Sequence, residues 1–503
     1  MSSDLPSYGQ AAAIVADRAR VIGGRPIRDE VMGGRPRVER IDLAYANGRI
    51  LAAPLIADDD QPPFPRSTRD GYACRAAEAS AHTVLPVAGS THAGEAPAGP
   101  LPEHVAWEIM TGAPVPEGAD CVVMLEHVEK SGDASGSPAT GLGRWGGGIA
   151  LLSSRSIEPG DNIVAKGAQS RRGDKLLSHG VTLGPAQIAL AASCGYSTLE
   201  VFARPLVAIL TTGDELVPID AAPGPGKIRN SNAPMLAALV ANAGAEPLVL
   251  PTAGDTAEAL DVALAQAAQA DMLLISGGVS AGKFDLVEPA LARLGAQFHF
   301  TGVRIQPGKP LVFGEMKGTG FSQPKEQTKI QRTSISEQAG FELGHDFSPA
   351  DQPAGKRGAL APGKGTGFSP YNSLIKNEGA LAPEANTIPF FGLPGNPISS
   401  ALTFLLFAAP ILAALAGSRE THPRFVLAQL ARDTDRKTRP GLTRFLPARC
   451  TFNLSVDELP QVATVPWHGS GDLTAFAQSN CFLVIPEEAG FLPAGSTVHI
   501  LLH

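Results

Sequence analysis

Asp271-Met-Leu-Leu-Ile-Ser-Gly-Gly-Val-Ser-Ala-Gly-Lys-Phe-Asp285 is the stretch on which the fold turns. Met272 to Ile275 is apolar without alternation, the pattern of a strand covered on both faces. Ser276-Gly277-Gly278 interrupts it, Ser280-Ala281-Gly282 follows, and Asp285 opens a helical pattern over 286–294. A strand, a glycine turn and a helix start together make an anion site. Glycine lets the backbone approach a ligand, and the free N–H groups of a helix start attract negative charge. An ordinary strand-to-helix turn reads the same in isolation, so the surrounding chain has to decide.

Outward from this stretch, residues 205–421 alternate strand and helix. Strands are expected at 207–210, 246–250 and 387–391, with strand, turn and strand across 298–313. Helices are expected at 232–241 with Asn232 as N-cap, at 255–268 capped by Asp255 or Thr256, and at 397–415. Repeated strand–helix units predict a doubly wound sheet with ligands outside the carboxyl ends of its strands. Residues 211–215, 276–280 and 392–397 all fall at such ends, and that convergence favours the anion site. Residues 397–415 are the most hydrophobic of the chain but contain Pro410 and a Ser399-Ser400 pair. They read as a buried amphipathic helix in preference to a membrane span.

The flanks have a different texture. Residues 8–19 are helical in pattern, 36–46 alternate like a strand, and Asn47-Gly48 is a turn signal. Short strands at 83–89, 106–110 and 121–125, with frequent turns, predict a β-rich domain over 56–155. The Gly/Ser/Ala-rich 131–148 reads as a flexible loop. In 58–73, prolines stop any helix, and Arg66, Ser67, Arg69 and Asp70 crowd one polar loop. A helix at 185–192 and a strand at 198–201 follow. Beyond Gly417, five short strands predict a C-terminal β-domain over 422–503. Residues 316–388 break the pattern: Lys317-Gly-Thr-Gly-Phe-Ser322 recurs at Lys364-Gly-Thr-Gly-Phe-Ser369, and Gly358-Ala-Leu-Ala-Pro362 at Gly379-Ala-Leu-Ala-Pro383. This reads as a disordered, catalytically inert insertion between neighbouring strands. Loop closure tolerates it, because each doubling of length costs about 0.6 kcal/mol.

Composition narrows the function. The net charge is −8 over 503 residues and no dense Lys/Arg block occurs, which argues against nucleic acid or a membrane surface as the main partner. A small anion held in one local basic pocket stays open. The five cysteines are widely spaced without a CxxC pair, so neither a disulfide framework nor a zinc site is indicated, as suits a reducing cytoplasm. The first residues lack a basic region followed by an apolar core, so no signal peptide is expected.

One set of motifs runs through the chain in order: Ser67-Thr-Arg-Asp-Gly-Tyr-Ala73, Ile109-Met-Thr-Gly-Ala-Pro-Val-Pro-Glu-Gly-Ala-Asp120, Thr212-Gly-Asp-Glu-Leu216, Ser276-Gly-Gly-Val-Ser-Ala-Gly282, Pro307-Gly-Lys-Pro310, Gly392-Leu-Pro-Gly-Asn-Pro-Ile-Ser399 and Gly469-Ser-Gly471. Together they resemble the molybdopterin molybdenumtransferases, the family that includes the gephyrin E domain. The resemblance implies a multidomain α/β plus β architecture. Residues 1–55 and 156–204 would form one discontinuous N-terminal helical and linker domain. Residues 56–155 would project from it as the β-rich domain, 205–421 would be the doubly wound molybdopterin-binding domain, and 422–503 a β-barrel-like domain. It further implies a homodimer with sites shared between subunits, Asp70 and Thr111 acting in trans. The reaction implied is insertion of molybdenum from molybdate into adenylylated molybdopterin, with Mg²⁺ and release of AMP. A molybdopterin adenylyltransferase is a candidate partner.

The residues suit that chemistry. Molybdate and a pyrophosphate link are both anionic and repel unless a cation and aimed donors offset them. Lys309 offers a fixed positive charge beside Pro310, and Ser399, Ser470 and the glycine-turn N–H groups offer hydrogen bonds. Ser276, Gly277, Gly278, Ser280, Gly282 and Asn396 complete the expected substrate contacts. Asp70, Thr111, Glu215, Asp285 and Lys309 are the catalytic candidates. Glu215, Asp255 and Asp285 are candidate Mg²⁺ ligands, of which such a site takes one or two. The chain departs from many relatives at Gly167-Ala-Gln169, where they carry Gly-Glu-Asp, at Gln306, where a basic residue is frequent, and at Pro447, where the family has arginine. Arg304, two positions before Gln306, is a candidate to compensate there, and Arg449 lies close to Pro447. Two other readings remain: a pterin-binding scaffold with a weakened site, and an adenylyltransferase acting on molybdopterin, which lacks both β-domains.

Overall fold

Side-chain alternation along buried strands builds the central layer. The computed structural model describes residues 5–24, 37–80, 82–96, 99–131, 147–267, 269–278, 286–317, 387–435, 441–452 and 458–503. Its central sheet contains β1 (Leu206–Thr211), β2 (Glu246–Val249), β3 (Met272–Ser276), β4 (Gln297–Thr301), β5 (Val312–Lys317) and β6 (Thr387–Leu393), in the order β2-β1-β3-β6-β5-β4. Pairing is parallel except where β5 meets β6 and β4. The helices around this sheet and the barrel are α1 (Tyr8–Gly23), α2 (Asn232–Asn242), α3 (Ala257–Ala267), α4 (Val287–Arg293), α5 (Pro397–Leu415) and α6 (Leu473–Gln478), and the helix expected at 185–192, Pro185–Ser193, packs in the N-terminal unit. Val207, Ile209, Met272 and Leu274 face α1, α2 and α5 on one side. Ala208, Leu210, Leu273 and Ile275 face α3 and α4 on the other. The sheet is therefore covered on both faces, as its unalternating strands predict.

Several local expectations change. Asn232 is the first residue of α2, not its cap, because its side chain bonds elsewhere. Thr256 takes the cap role for α3, accepting from Ala259 N at 3.2 Å. The turn expected within 298–313 contains Ile305–Gln306, which pairs in parallel with strand Thr443–Thr451 and so ties this region to the C-terminal sheet. α5 is not amphipathic. It is buried nearly all round, with 78% of its apolar window inside the protein, and includes a π-helical stretch at Phe404–Ala408. α1 packs Ala11, Val15, Ala19 and Ile22 into the α/β core, although the sequence reading groups it with 156–204. Its Tyr8 ring meets Phe407 of α5 and Phe425 and Phe445 of the C-terminal sheet. Burial raises the Tyr8 hydroxyl to about 12.

The remaining units have their own cores. Val38–Asp42 pairs with Thr198–Phe202, and Leu55–Ile56 with Lys175–Leu177, joining two distant parts of the chain around Leu51, Leu55, Leu183 and Val201. A six-stranded sheet runs from Cys121–Met124 through Gly71–Cys74, Ala106–Ile109, Leu85–Thr91 and Gly148–Leu151 to Val128–Ser131. In the C-terminal unit, Thr443–Thr451 pairs with both Gln461–Thr464 and Cys481–Ile485, while Phe425–Leu430 and Thr497–Leu502 complete the ring. Five strands thus close into a barrel, which removes exposed edges. Met316 and Ile388, expected in the insertion, are buried strand residues paired with each other, and Lys317 pairs with Thr387. The rest of that insertion, 318–386, lies outside the described residues. So do 132–146 of the expected flexible loop, whose ends Ser131 and Gly148 pair.

Candidate functional site

Register sets the site. Thr211 sits beside Ser276, and Ser276 beside Leu393, so β1, β3 and β6 end level. The chain leaves β1 toward α2 on one face and β3 toward α4 on the other. That reversal leaves a crevice at the strand ends, the usual ligand position in such sheets. Its floor is backbone: Thr212 N donates to Ser276 O at 3.0 Å, and Gly277 N to Leu393 O at 3.3 Å. Gly277 and Gly278 have φ of 97° and 64°. A Cβ on Gly277 would lie 2.5 Å from Thr212 O, and one on Gly278 2.8 Å from Thr212 Oγ1. Only glycine fits there.

Two residues not named among the predicted site residues matter here. Asn232 Nδ2 donates to Ser276 Oγ at 2.8 Å and to Gly395 O at 2.6 Å, stitching β3 to the loop after β6. Thr212 Oγ1 and Asn232 Oδ1 are buried without a hydrogen-bond partner. Orphaned buried polar atoms are rare in folded proteins and point to a ligand or water. Nothing in the local sequence separates this threonine and asparagine from ordinary turn residues.

The start of α5 forms a second wall. Asn396 occupies its cap position in an extended conformation, with Pro397 as first helical residue. Asn396 Nδ2 donates to Ser470 Oγ at 2.9 Å, and Ile398 N donates to Ser470 O at 3.0 Å. The Gly469-Ser470-Gly471 loop of the barrel thus caps a helix of the α/β layer. Ser399 is only 3% exposed within α5. Gly308, at φ 111°, brings the Pro307-Gly-Lys-Pro310 turn against α5, since a Cβ there would lie 2.7 Å from Thr403 Cγ2. The Lys309 carbonyl accepts from Val303 N and Leu311 N, both at 3.0 Å, while its side chain is exposed and Pro310 half-buried.

Carboxylates collect after β1. Asp255 N donates to Asp214 Oδ1 at 3.1 Å, and Asp214 N to Asp255 Oδ2 at 3.3 Å. The Glu215 carboxylate folds over Gly213. Asp214, another residue missing from the sequence prediction, therefore shares this position with Glu215 and Asp255, all three exposed. Among the described residues no group of three or more His, Cys, Asp or Glu is gathered as for a bound metal. Asp285, Ser280 and Gly282 lie outside the described residues. In the β-rich unit, Asp70 Oδ1 accepts from Thr111 N at 2.6 Å and Thr111 Oγ1 at 2.8 Å. The backbone bond first, then the hydroxyl, hold the Asp70 carboxyl below its ordinary value.

The two arginines near the departures both have partners. Arg304 Nη1 is paired with Glu487 Oε1 at 3.0 Å, so its charge is already balanced. Arg449 Nη1 donates to Gln478 O at 3.3 Å, at the end of α6. Gln306 and Pro447 sit in paired strands, and Gln169 N bonds Gln61 O at 2.9 Å.

The chain matches three family descriptions: "MoeA N-terminal region (domain I and II)" over residues 7–195, "Probable molybdopterin binding domain" over 208–414, and "MoeA C-terminal region (domain IV)" over 428–503. It is similar to a molybdopterin molybdenumtransferase of Nostoc sp., with 30% identity over 475 residues, 92% of this chain and 88% of that protein. A molybdopterin molybdenumtransferase of Haemophilus influenzae is 27% identical over 465 residues, 92% and 93% of the two chains. The crystal structure of a molybdopterin biosynthesis MoeA protein from Pyrococcus horikoshii aligns with a TM-score of 0.60 at 27% identity, over 97% of this chain and 98% of that one.

Proposed function

The chain belongs to the MoeA family of molybdopterin molybdenumtransferases, enzymes of molybdenum cofactor biosynthesis, and from that premise we propose that it inserts molybdenum from molybdate into adenylylated molybdopterin and releases AMP. The observation that carries this reading is the crevice itself. Level strand ends, two glycines whose backbone cannot accept a side chain, and two orphaned polar atoms meet the start of a long helix. Backbone N–H groups there suit a phosphate, and a helix start adds positive potential.

Two anions must share this space. Lys309 would offset part of their charge, and Ser470, whose oxygen already accepts from Asn396, keeps its own hydrogen to donate. Cleavage of the pyrophosphate link by water yields AMP, the pterin phosphate and a proton, which a carboxylate of the Asp214–Glu215 segment would take. Joining molybdate to a dithiol loses one oxo group with the two thiol protons as water. Asp214, Glu215 and Asp255 offer exposed hard oxygens that suit Mg²⁺ held jointly with substrate phosphates. Bound there, Mg²⁺ would supply charge neutralisation at the pyrophosphate. The same reading makes the protein a cytoplasmic homodimer in which Asp70 and Thr111 serve the partner's crevice, supplied by a molybdopterin adenylyltransferase. The Asp70–Thr111 pair supports it, since an exposed carboxylate held ionised is suited to a neighbouring site.

The test is direct. The protein is incubated with adenylylated molybdopterin, molybdate and Mg²⁺, and AMP and active cofactor are followed. AMP is expected in step with cofactor. Tight pterin binding without AMP would overturn the reading.

A further inference from the structure

A second basic cavity opens far from the strand ends. Its volume is about 650 Å³, and Arg20, Arg37, His179, Arg419 and His422 line it with Phe202, without a carboxylate among the described lining residues. This size lies within the usual range for small-molecule sites. It forms where the C-terminal ends of α1 and α5 converge. α5 has 19 residues, which at 1.5 Å per residue puts the cavity roughly 28 Å from that helix's other end at the crevice.

The bland explanation is that these cations answer two helix C-termini, each carrying about half a negative charge. The hydrogen bonding argues otherwise. Several of the terminal carbonyls already have backbone donors: Gly24 N to Arg20 O at 2.9 Å, Gly417 N to Ala414 O at 3.0 Å and Ser418 N to Ala413 O at 2.9 Å. Arg20 is balanced by Asp17 at 2.9 Å. The side chains of Arg37, Arg419, His179 and His422 have no hydrogen bond or ion pair to the described residues. Among the described residues, two guanidinium groups and two imidazoles thus lack a partner around one cavity. The wall is closely packed: a Cβ on Gly417 would lie 2.5 Å from the Phe202 ring, and one on Gly180 2.8 Å from Arg419 Cγ.

We infer that this cavity binds a phosphate dianion, free or carried on a small molecule, at a site separate from the crevice. Arg37 and Arg419 hold the anion by charge-assisted bonds, and Phe202 faces any apolar group it bears. The chemistry is shared by inorganic phosphate and by a nucleotide monophosphate, so both are titrated.

The full chain is titrated by calorimetry with inorganic phosphate and, separately, with AMP, while ³¹P line widths give a second readout. Saturable binding is expected for at least one. Arg37→Ala and Arg419→Ala weaken it about tenfold each, Arg419→Lys restores much of it, and Lys309→Ala leaves it unmoved. Unchanged thermal midpoints show that the variants are folded. Binding of AMP but not phosphate identifies a nucleotide site, and the reverse identifies a free-anion site. Absence of saturable binding, or binding that depends on Lys309 and ignores Arg37 and Arg419, overturns the inference. Either result leaves the transferase reading to its own AMP-release assay.

Discussion

Gly277 shows how much of the crevice depends on one missing side chain. Its φ is 97°, and a methyl group there would lie only 2.5 Å from Thr212 O, so Gly277→Ala must move backbone. The expected cost is about 1–3 kcal/mol in urea unfolding, with pterin binding weakened in the same variant. Gly469→Ala is the control. It has φ 115° but nothing within 4 Å, so it bears conformational strain alone and should lose less. Asp70 makes a second residue-level prediction. Its carboxyl is lowered by the Thr111 backbone bond and then by the Thr111 hydroxyl, so both bonds favour the charged form and weaken as pH falls through its titration. Thr111→Val removes only the hydroxyl. An NMR titration should show the Asp70 carboxyl rising part of the way toward the ordinary value of 3.8; no rise would mean that the hydroxyl has no share. Glycine turns and the lysine turn were legible in the sequence because their spacing is unusual. Thr212, Asp214 and Asn232 were not read as site residues, because what marks them is an orphaned atom or a partner distant in sequence, and neither has a local signature.

The same limit recurs at the scale of the element. The apolar stripe of α1 says that one face is buried but not what buries it. The packing partner shows itself in a long-range contact: Arg18 Nε and Nη2 both donate at 2.6 Å to the carboxylate of Glu315 on β5, and His299 Nε2 lies 3.4 Å from it. Burial pushes Glu315 up, yet the hydrogen bonds from His299 and Arg18 and their charges outweigh it, leaving the carboxyl at about 2. A lowered carboxyl contributes stability that is present above its unfolded value of 4.5 and is lost as pH falls toward 2. A shift of this size corresponds to about 3 kcal/mol. Unfolding free energy should therefore fall more steeply between pH 5 and about 2 in the native chain than in Glu315→Gln. Parallel curves would show that the pairing is not linked to folding. Arg18→Ala leaves the buried Glu315 charge with less compensation and should cost about 3–5 kcal/mol near neutral pH. α5 went the other way: its hydrophobicity was plain, but its all-round burial requires α1, α2 and the barrel to surround it, and α1 and α2 lie far from it in sequence.

At the scale of the whole molecule, the strands of the α/β layer and of the barrel were readable because they rest on local periodicity, whereas the β-rich sheet has six strands against three expected, Gly71–Cys74, Val128–Ser131 and Gly148–Leu151 being too short to show a period, and the barrel's closure through the double pairing of Thr443–Thr451 is a property of topology alone. The proposed sharing of sites between subunits makes a test by mixing possible. Asp70→Ala and Lys309→Ala chains, each inactive, should regain roughly a quarter of native activity when re-associated, since half the dimers are mixed and each holds one intact site. Activity that stays at zero would mean both residues serve one chain. The insertion gives the last prediction. Its two flanks are not merely close: Lys317 and Thr387 are the terminal cross-strand pair of β5 and β6, continuing Met316–Ile388 and Glu315–Pro389. Two paired antiparallel ends can be joined by a two-residue turn, and Asn-Gly is the sequence that matches strand twist. Replacing 318–386 by Asn-Gly therefore removes closure entropy without touching a described contact of the sheet. Logarithmic scaling of loop length puts the gain on the order of 1–3 kcal/mol. Urea unfolding should show that gain, and AMP release should stay near native, because Lys309 and the crevice glycines lie at the opposite end of the strands' connections from this turn: β6 carries the chain from Thr387 at the turn to Leu393 at the crevice. A shortened chain that folds but releases no AMP would show that the insertion takes part in the reaction.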